Sequence, residues 1–590
     1  MQTGSKNKNR RVYFATLFLM IVVMFVFWNS FYWPYQEISK RKVAVRIITL
    51  FGVIVVPLLC VYVQPIREWI NNIIKKIVTL FRTLWSKRGK VLLLLGLILV
   101  GAALLYGITY VISRFVLGTG YNENLFCTLT VVSVIVVSVT ILWKQAGEKV
   151  EHVFLVIALS LGMLCIVVTP SRVGVSWDDE IHYLNTLKVS NFLNGIMYTA
   201  DEKNISEYAK NIRERNGYDR KTEADYVEEL NRSYEKQEAE KYAFPYPEIS
   251  SIPYIPAAAG VMLGRGLNLS YVGVFNLGRI FQLLTYVLLL SLAITKVKYG
   301  KVLVAMIGLI PTSIFMAAHY SYDWWVTGFT VLGFAYFIAE LQDDKPLENK
   351  NALIMVGAIA LGCIPKAIYF PILLPLLFMP KKKFKSEKQR KCYYIIIILG
   401  VLLLVASFLL PMLNPANDMS DSRGGAGVNA TEQIKFILKN PIEYIKILFN
   451  FELDYISIRN TSAMLYKFAY VGEGQYHGVM SVLLLLLAFL DKDETEKKHG
   501  LVRSSMLIGN MAAIVLATTA LYISFTAVGH NTVEGMQGRY LVPTIYPALF
   551  ALGFMKVPHK IKKNVLTCVP MLIVSALFVY NIFKFCVIPY

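Results

Sequence analysis

VLLLLGLILVGAALL (Val91–Leu105) contains no charge, no proline and no alternation of apolar with polar residues. A membrane β-strand alternates, because one face meets lipid and the other the lumen, so an unbroken apolar run reads as helix. Extended to Ser113, this run is long enough to cross a hydrocarbon core of about 30 Å. The same signature recurs in both directions along the chain. Spans are read at 12–33, 43–63, 91–113, 125–143, 152–169, 271–295, 302–318, 324–341, a short pair at 352–364 and 366–379, then 392–412, 477–490, 501–523, 539–556 and 564–585. Hydrophobic residues make up 56% of the 590, and mean hydropathy is +0.51, far above a soluble enzyme of this size. The expected fold is all-α: a polytopic integral membrane protein with about 14–15 transmembrane helices.

The formal net charge is +21, but the basic residues sit in short links between apolar runs, with no basic domain to bind nucleic acid. With the N-terminus in the cytoplasm, the cytoplasmic links hold 33 Lys and Arg and the short outer links with their edges five, four of them (Lys40, Arg41, Lys42 and Arg46) in or beside the loop between the first two spans. That asymmetry follows the positive-inside rule and sets the orientation, least firmly at the first hairpin. Residues 1–11 are basic, but the run after them is long and ends in WNSFYWPY without a small-residue cleavage site, so it reads as a span rather than a cleaved signal. The seven cysteines (60, 127, 165, 363, 392, 568 and 586) all lie in or beside apolar runs and offer neither a disulfide framework nor metal-ligand spacing.

The segment PIREWINNIIKKIVTLFRTLW (65–85) puts Ile66, Trp69, Ile70, Ile73, Ile74, Ile77, Phe81 and Leu84 on one face, with Lys75, Lys76 and Arg82 elsewhere. This is expected to be a cytoplasmic amphipathic helix (65–90) lying against anionic lipid. Two long loops, 170–253 and 413–476, fall outside. The first carries a highly charged stretch (201–241), expected as solvated helix. The second is expected to carry two interfacial helices, one opened by Pro441.

Ionisable groups from separate parts of the chain reach one depth at the outer face. Asp178, Asp179, Glu180 and His182 follow the fifth span, in VGVSWDDEIHYLNTL; Arg265 and Arg279 flank the start of the sixth. His319 and Asp323 form the turn in AAHYSYDWW, Lys366 marks the break in CIPKAIYF, and His530, Glu534 and Arg539 belong to the last outer loop. Charges in a bilayer are expensive, and their convergence suggests a site. Each also has a plain structural reading. Ser176 and Asp179 have capping-box spacing, Arg279 can pair with an acid for packing, Lys366 can snorkel, and Arg539 can anchor the interface. There is no P-loop, no Rossmann glycine pattern and no cytoplasmic segment large enough for a nucleotide domain. A transferase built this way needs a donor already activated at the outer face, a condition that a lipid-linked phosphate sugar meets.

The motif Asp179-Glu180-Ile181-His182-Tyr183 just beyond a span resembles that of the GT-C glycosyltransferases, among them protein O-mannosyltransferases and aminoarabinose transferases of lipid A. The segments IPTSIFMAAHYSYDWW, CIPKAIYFPILLPLLFMP and EGMQGRYLVPTIYP resemble a large bacterial family of predicted membrane proteins of unknown function, itself GT-C-like. The resemblance covers about 150–560. In that family the acidic motif follows the first span, so residues 1–150 read as an added four-span module, able to recruit a membrane partner, and 151–590 as a GT-C-like core. The extra Asp178 departs from the pattern and leaves the leading carboxylate open.

The resemblance implies transfer of a sugar from a polyprenyl phosphate to an extracytoplasmic glycan, glycolipid or protein, in a bacterial cytoplasmic membrane. An inverting transfer needs one base, and Asp179 is the first choice, with Asp178 and Glu180 raising its basicity or helping to hold a metal. Lys366 and Arg539, with Arg279 in reserve, would bind the lipid phosphate. His182, Asp323, His319 and Tyr540 are assigned to substrate. A divalent cation (Mg or Mn) is compatible with the carboxylates, but such ions seldom choose histidine, and the reading does not depend on one. Two other readings stand beside it. A lipid-linked saccharide transporter should show matching interrupted helices in two halves, and a polysaccharide polymerase or ligase should lean on arginines in its outer loops.

Overall fold

The computed structural model describes residues 88–191, 196–206, 220–235, 239–241, 249–412, 424–425, 427–493 and 499–588, with single positions 75, 79 and 86. The spans expected at 12–33 and 43–63, and nearly all of the amphipathic helix expected at 65–90, lie outside these residues. Among the described residues, nine helical segments are long and apolar enough to cross a membrane, one of them (Asn349–Phe378) bent back on itself, and two shorter apolar helices accompany them. The protein is a polytopic helical membrane protein.

In chain order the first helices among the described residues are α1 (Arg88–Val111), α2 (Glu123–Leu142) and α3 (Val150–Val168). The first long loop then folds into α4 (Asp179–Asn191), β1 (Ile196–Tyr198), α5 (Thr199–Ser206), α6 (Arg220–Glu235), β2 (Ala239–Lys241) and α7 (Ile255–Gly266). The bundle continues with α8 (Tyr271–Lys296), α9 (Lys301–Gly308), α10 (Pro311–Ala317), α11 (Asp323–Leu341), α12 (Asn349–Cys363) and α13 (Glu387–Met412). The second long loop holds α14 (Ala430–Lys439), α15 (Pro441–Tyr455), α16 (Ile458–Met464) and the hairpin β3 (Lys467–Phe468)/β4 (Gly472–Glu473). Helices α17 (Gly478–Leu490), α18 (Gly500–Ser524), α19 (Val542–Leu552) and α20 (Lys563–Cys586) complete it.

Burial locates the centre. In the apolar stretch of α11 89% of the residues are buried, against 6% in the stretch Leu95–Val116 that holds most of α1, so α11 is the hub and α1 the periphery. Its partner α12 is the outgoing arm of a hairpin whose returning arm is the tight helix Ile364–Phe378. Leu347 N–H donates to Lys383 O at 2.7 Å, so both arms begin and end on the same side of the bundle. The chain turns at Lys366, whose φ of −139° and ψ of 68° leave helical space, and Pro365, Pro371 and Pro375 keep the returning arm from regaining α-helical bonding. The turn expected between the two short spans is therefore present, and its tip carries Lys366.

The first long loop packs as a small unit on the same end of the bundle. β1 pairs antiparallel with β2, and Tyr183, Leu187, Val261, Phe275 and Tyr320 form its apolar centre. Helices α7 and α8 touch backbone to backbone: a Cβ at Gly260 would lie 2.4 Å from Leu277 O. The charged stretch is not wholly solvated. Asp201 and Glu223 are buried, because each meets an arginine: Arg265 to Asp201 at 2.8 Å, and Arg172 to Glu223 through two hydrogen bonds.

Candidate functional site

The acidic motif opens with a turn that uses its own backbone. Gly174 takes a φ of +84°, which costs glycine little, and the chain then aims three successive N–H groups at one carboxylate. Gly174, Val175 and Ser176 donate to the Asp179 oxygens at 2.7, 3.1 and 2.8 Å. Burial lifts the Asp179 pKa out of the usual carboxylate range and Glu180 adds to this, while the three N–H groups oppose it. Asp179 is thus 2% exposed and occupied in holding the turn. Replacing it by alanine strands three buried donors and should cost about 3 kcal/mol or more. A lowered melting temperature of the purified protein is the check, and an unchanged one would contradict this role.

Asp178 goes the other way. Its φ of +55° lies in the left-handed region, which aspartate and asparagine tolerate better than most residues. Its carboxylate accepts from Arg539 Nη2 at 2.5 Å. Arg539 Nη1 donates to Asp323 at 3.1 Å, and Lys366 Nζ donates to the other Asp323 oxygen at 2.9 Å. Four segments distant in sequence therefore meet in one ionic chain, Asp178–Arg539–Asp323–Lys366. Asp323 sits in the first turn of α11, where the helix dipole favours an acid, and its N–H donates to Ser321 Oγ at 3.0 Å. Arg539 rides a short turn, Gly538–Tyr540, that Gly538 allows to lie directly on Met464.

Two cations and two carboxylates make the chain neutral. Arg539 is 5% exposed, and its Nε–H has no partner among the described residues. Aromatic faces line the cations: Lys366 Nζ lies 3.8 Å from the centre of the Tyr540 ring and 5.1 Å from Tyr322, and Arg539 lies 5.4 Å from Trp177. His182 packs its ring on Tyr322 at 4.7 Å and shares a 2.9 Å hydrogen bond with Tyr254. Burial, reinforced by the charge of Arg539, pushes its pKa down to about 4. The unfolded chain takes up this proton near pH 6.5 and the folded one only near pH 4, so folding stability is present above 6.5 and falls as pH drops between them. Thermal melts of wild type and His182→Gln across this range should differ in slope, with the variant flatter; equal slopes would contradict the buried neutral imidazole.

Of the residues singled out from sequence, Asp178, Asp323, Lys366, Arg539, Tyr540 and His182 come together. Glu180 is half-buried beside them, and its charge reaches Tyr470 at the tip of the β3/β4 hairpin along with those of Asp178 and Asp179. Arg279 and His319 form a separate group. Arg279 donates to Ala318 O at 2.7 Å, Thr169 Oγ1 at 2.7 Å and His319 Nε2 at 2.9 Å, so it closes the carbonyl ends of neighbouring helices instead of pairing with an acid. His319 Nδ1 faces Phe315 O at 2.8 Å, which makes it the neutral tautomer that accepts from the arginine. Arg279→Lys should therefore lower the melting temperature without changing anion affinity; weaker binding of an anionic lipid would contradict this. Arg265 belongs with Asp201, and His530 and Glu534 are outside the ionic chain. Sequence reading missed Trp177, Tyr254, Tyr322 and Tyr470. The first and third directly precede an acid of the site in WDDE and SYDWW; Tyr254 and Tyr470 carry no local signal. Among the described residues, no group of three His, Cys, Asp or Glu side chains is arranged to hold a metal ion.

A bundle whose buried, charge-balanced, aromatic-lined centre lies at one end of its spans is an integral membrane protein with a built polar site. Residues 159–547 match the family described as "Predicted membrane protein (DUF2142)", and the chain belongs to that family. The match begins within α3 and contains every residue of the ionic chain. No curated protein and no solved structure matches the chain.

Proposed function

We propose that this protein is a membrane glycosyltransferase that moves a sugar from a polyprenyl-phosphate donor to a hydroxyl of an extracytoplasmic glycan, glycolipid or protein. The observation that carries the reading is Arg539. It is a buried guanidinium with one donor unspoken for, next to a lysine and held by two carboxylates at the end of a transmembrane bundle. Arginine's fork suits phosphate oxygens, and Lys366 adds a second cation. The positive-inside charge pattern supports the outer side for this end of the bundle.

The chemistry follows from the pairing. A donor phosphate that takes Arg539 displaces Asp178, whose freed oxygen then receives the proton of the acceptor hydroxyl. That hydroxyl oxygen attacks the anomeric carbon while the bond from carbon to phosphate oxygen breaks. The departing electron pair stays on the phosphate, where Arg539 and Lys366 stabilise it. Asp323 keeps both cations in position, and Trp177, Tyr322 and Tyr540 offer ring faces to the sugar. In this account Asp178, not Asp179, is the base, since Asp179 is committed to the turn. His182, neutral at physiological pH, orients a substrate hydroxyl.

Charge balance supports a monophosphate-linked donor. Releasing one carboxylate from the chain leaves one uncompensated positive charge, which a phosphodiester, carrying one negative charge, neutralises. A panel of radiolabelled donors tests this in proteoliposomes. Polyprenyl-monophosphate sugars should transfer well, and pyrophosphate-linked ones poorly. Preference for pyrophosphate would favour a polymerase or ligase, and movement of the intact lipid-linked sugar across the bilayer without transfer would favour a transporter.

A further inference from the structure

Helix α15 divides its surface three ways. Tyr444, Ile447 and Tyr455 face the bundle: Tyr444 Oη is 2.6 Å from Thr519 Oγ1, and nearby Glu452 accepts from Thr518 at 2.6 Å. These threonines lie in the last two turns of the α18 span, so α15 lies across that span just inside its end. Glu443, Asn450 and Asp454 form a polar margin. On the side away from the bundle, Ile442, Ile445, Phe449 and Leu453 form a single stripe at helical spacing, each more than half exposed. Lys446 borders the stripe, and Leu438, 74% exposed, with Lys439 extends it at the end of α14.

We infer that this stripe docks in the lipid leaflet at the site end of the bundle, and that the docking holds Arg539 in place. The height of α15 on α18 puts the stripe where acyl chains meet headgroups. A narrow apolar face bordered by a lysine and a polar margin is what an interfacial helix presents. The link to the site is direct. Tyr455 Oη donates to Gln537 O at 2.8 Å, and Phe451, Tyr455, Met464, Met536 and Leu541 pack as one apolar cluster. Helices α15 and α16 thus grip the chain on both sides of Arg539, so the leaflet that seats α15 also seats the arginine. This inference does not depend on the transferase reading.

The test uses the full chain in nanodiscs, with p-benzoylphenylalanine at Phe449 or, as control, at Asn450. Irradiation should give a phospholipid adduct at 449 and little at 450. A protein adduct at 449 would show that another chain covers the stripe and overturn the inference, as would equal lipid adduct at both positions. Coupling is read by hydrogen exchange. The amides of Tyr540 and Leu541, bonded to Gln537 O and Gly538 O, should exchange at least about tenfold faster in Phe449→Asp, while that of Leu347, on the far side, is unchanged. Should aspartate prevent insertion, Phe449→Thr carries the same readout. Unchanged exchange at 540–541 in a variant that has lost its lipid adduct would refute the coupling.

Discussion

Asp178→Asn should bind the phosphate donor more tightly and yet fail to turn it over. Asparagine tolerates the left-handed backbone at this position, so the substitution removes charge and basicity while leaving the turn. Without its carboxylate, Arg539 keeps only Asp323 as a counterion and no longer has to be released to the donor. The gain should be roughly tenfold in affinity, about 1.4 kcal/mol, in line with losing one charge-assisted competitor. Transfer should fall by about 10²–10⁴-fold, the usual contribution of a general base. Binding of a polyprenyl-phosphate sugar to purified protein and single-turnover transfer together check the result. Weaker binding would mean that Asp178 helps to hold the donor instead of competing with it.

Asp323→Ala should be the most damaging change for the fold. Its two oxygens serve Lys366 and Arg539 at once, and both cations are largely buried. Removing one partner of a buried pair typically costs about 3–5 kcal/mol, because the other charge is left without compensation. Here Lys366 is left without a carboxylate while Arg539 keeps only Asp178, so a loss within this range is expected. Lys366→Met added to Asp323→Ala should restore part of the stability, since it removes one stranded cation. Thermal melts in detergent or nanodiscs measure both. A double variant no more stable than the single would show that the two residues do not interact as the geometry implies.

Most of the helix order was readable because a membrane leaves few options: each run of about twenty apolar residues must satisfy its own backbone, and only a helix does so. The turn at Lys366 was readable for a related reason, since prolines on both sides of a short run forbid a regular helix. The choice between Asp178 and Asp179 was not readable. They are adjacent, and what separates them is a positive φ at Asp178 and three backbone donors aimed at Asp179, neither of which a residue pattern reports. Arg279 and Arg539 looked alike by depth. One meets helix carbonyls, threonine and histidine, and the other meets two carboxylates, a difference made entirely by tertiary packing. Arg265 was drawn away by Asp201, which lies in the stretch expected to be solvated. Tyr254 and Tyr470 entered the site because long loops fold back, and loop paths are the part of a chain least constrained by periodicity.

The proposed role of the ionic chain from Asp178 to Lys366 is to bind phosphate and transfer sugar. It is tested most directly by transfer of radiolabelled sugar from a synthetic polyprenyl-phosphate donor in proteoliposomes, comparing wild type with Asp178→Asn at equal folded amounts. Donor-dependent transfer by wild type that the variant loses is the predicted result. Undiminished transfer by Asp178→Asn, or none from any donor by folded wild type, would contradict it.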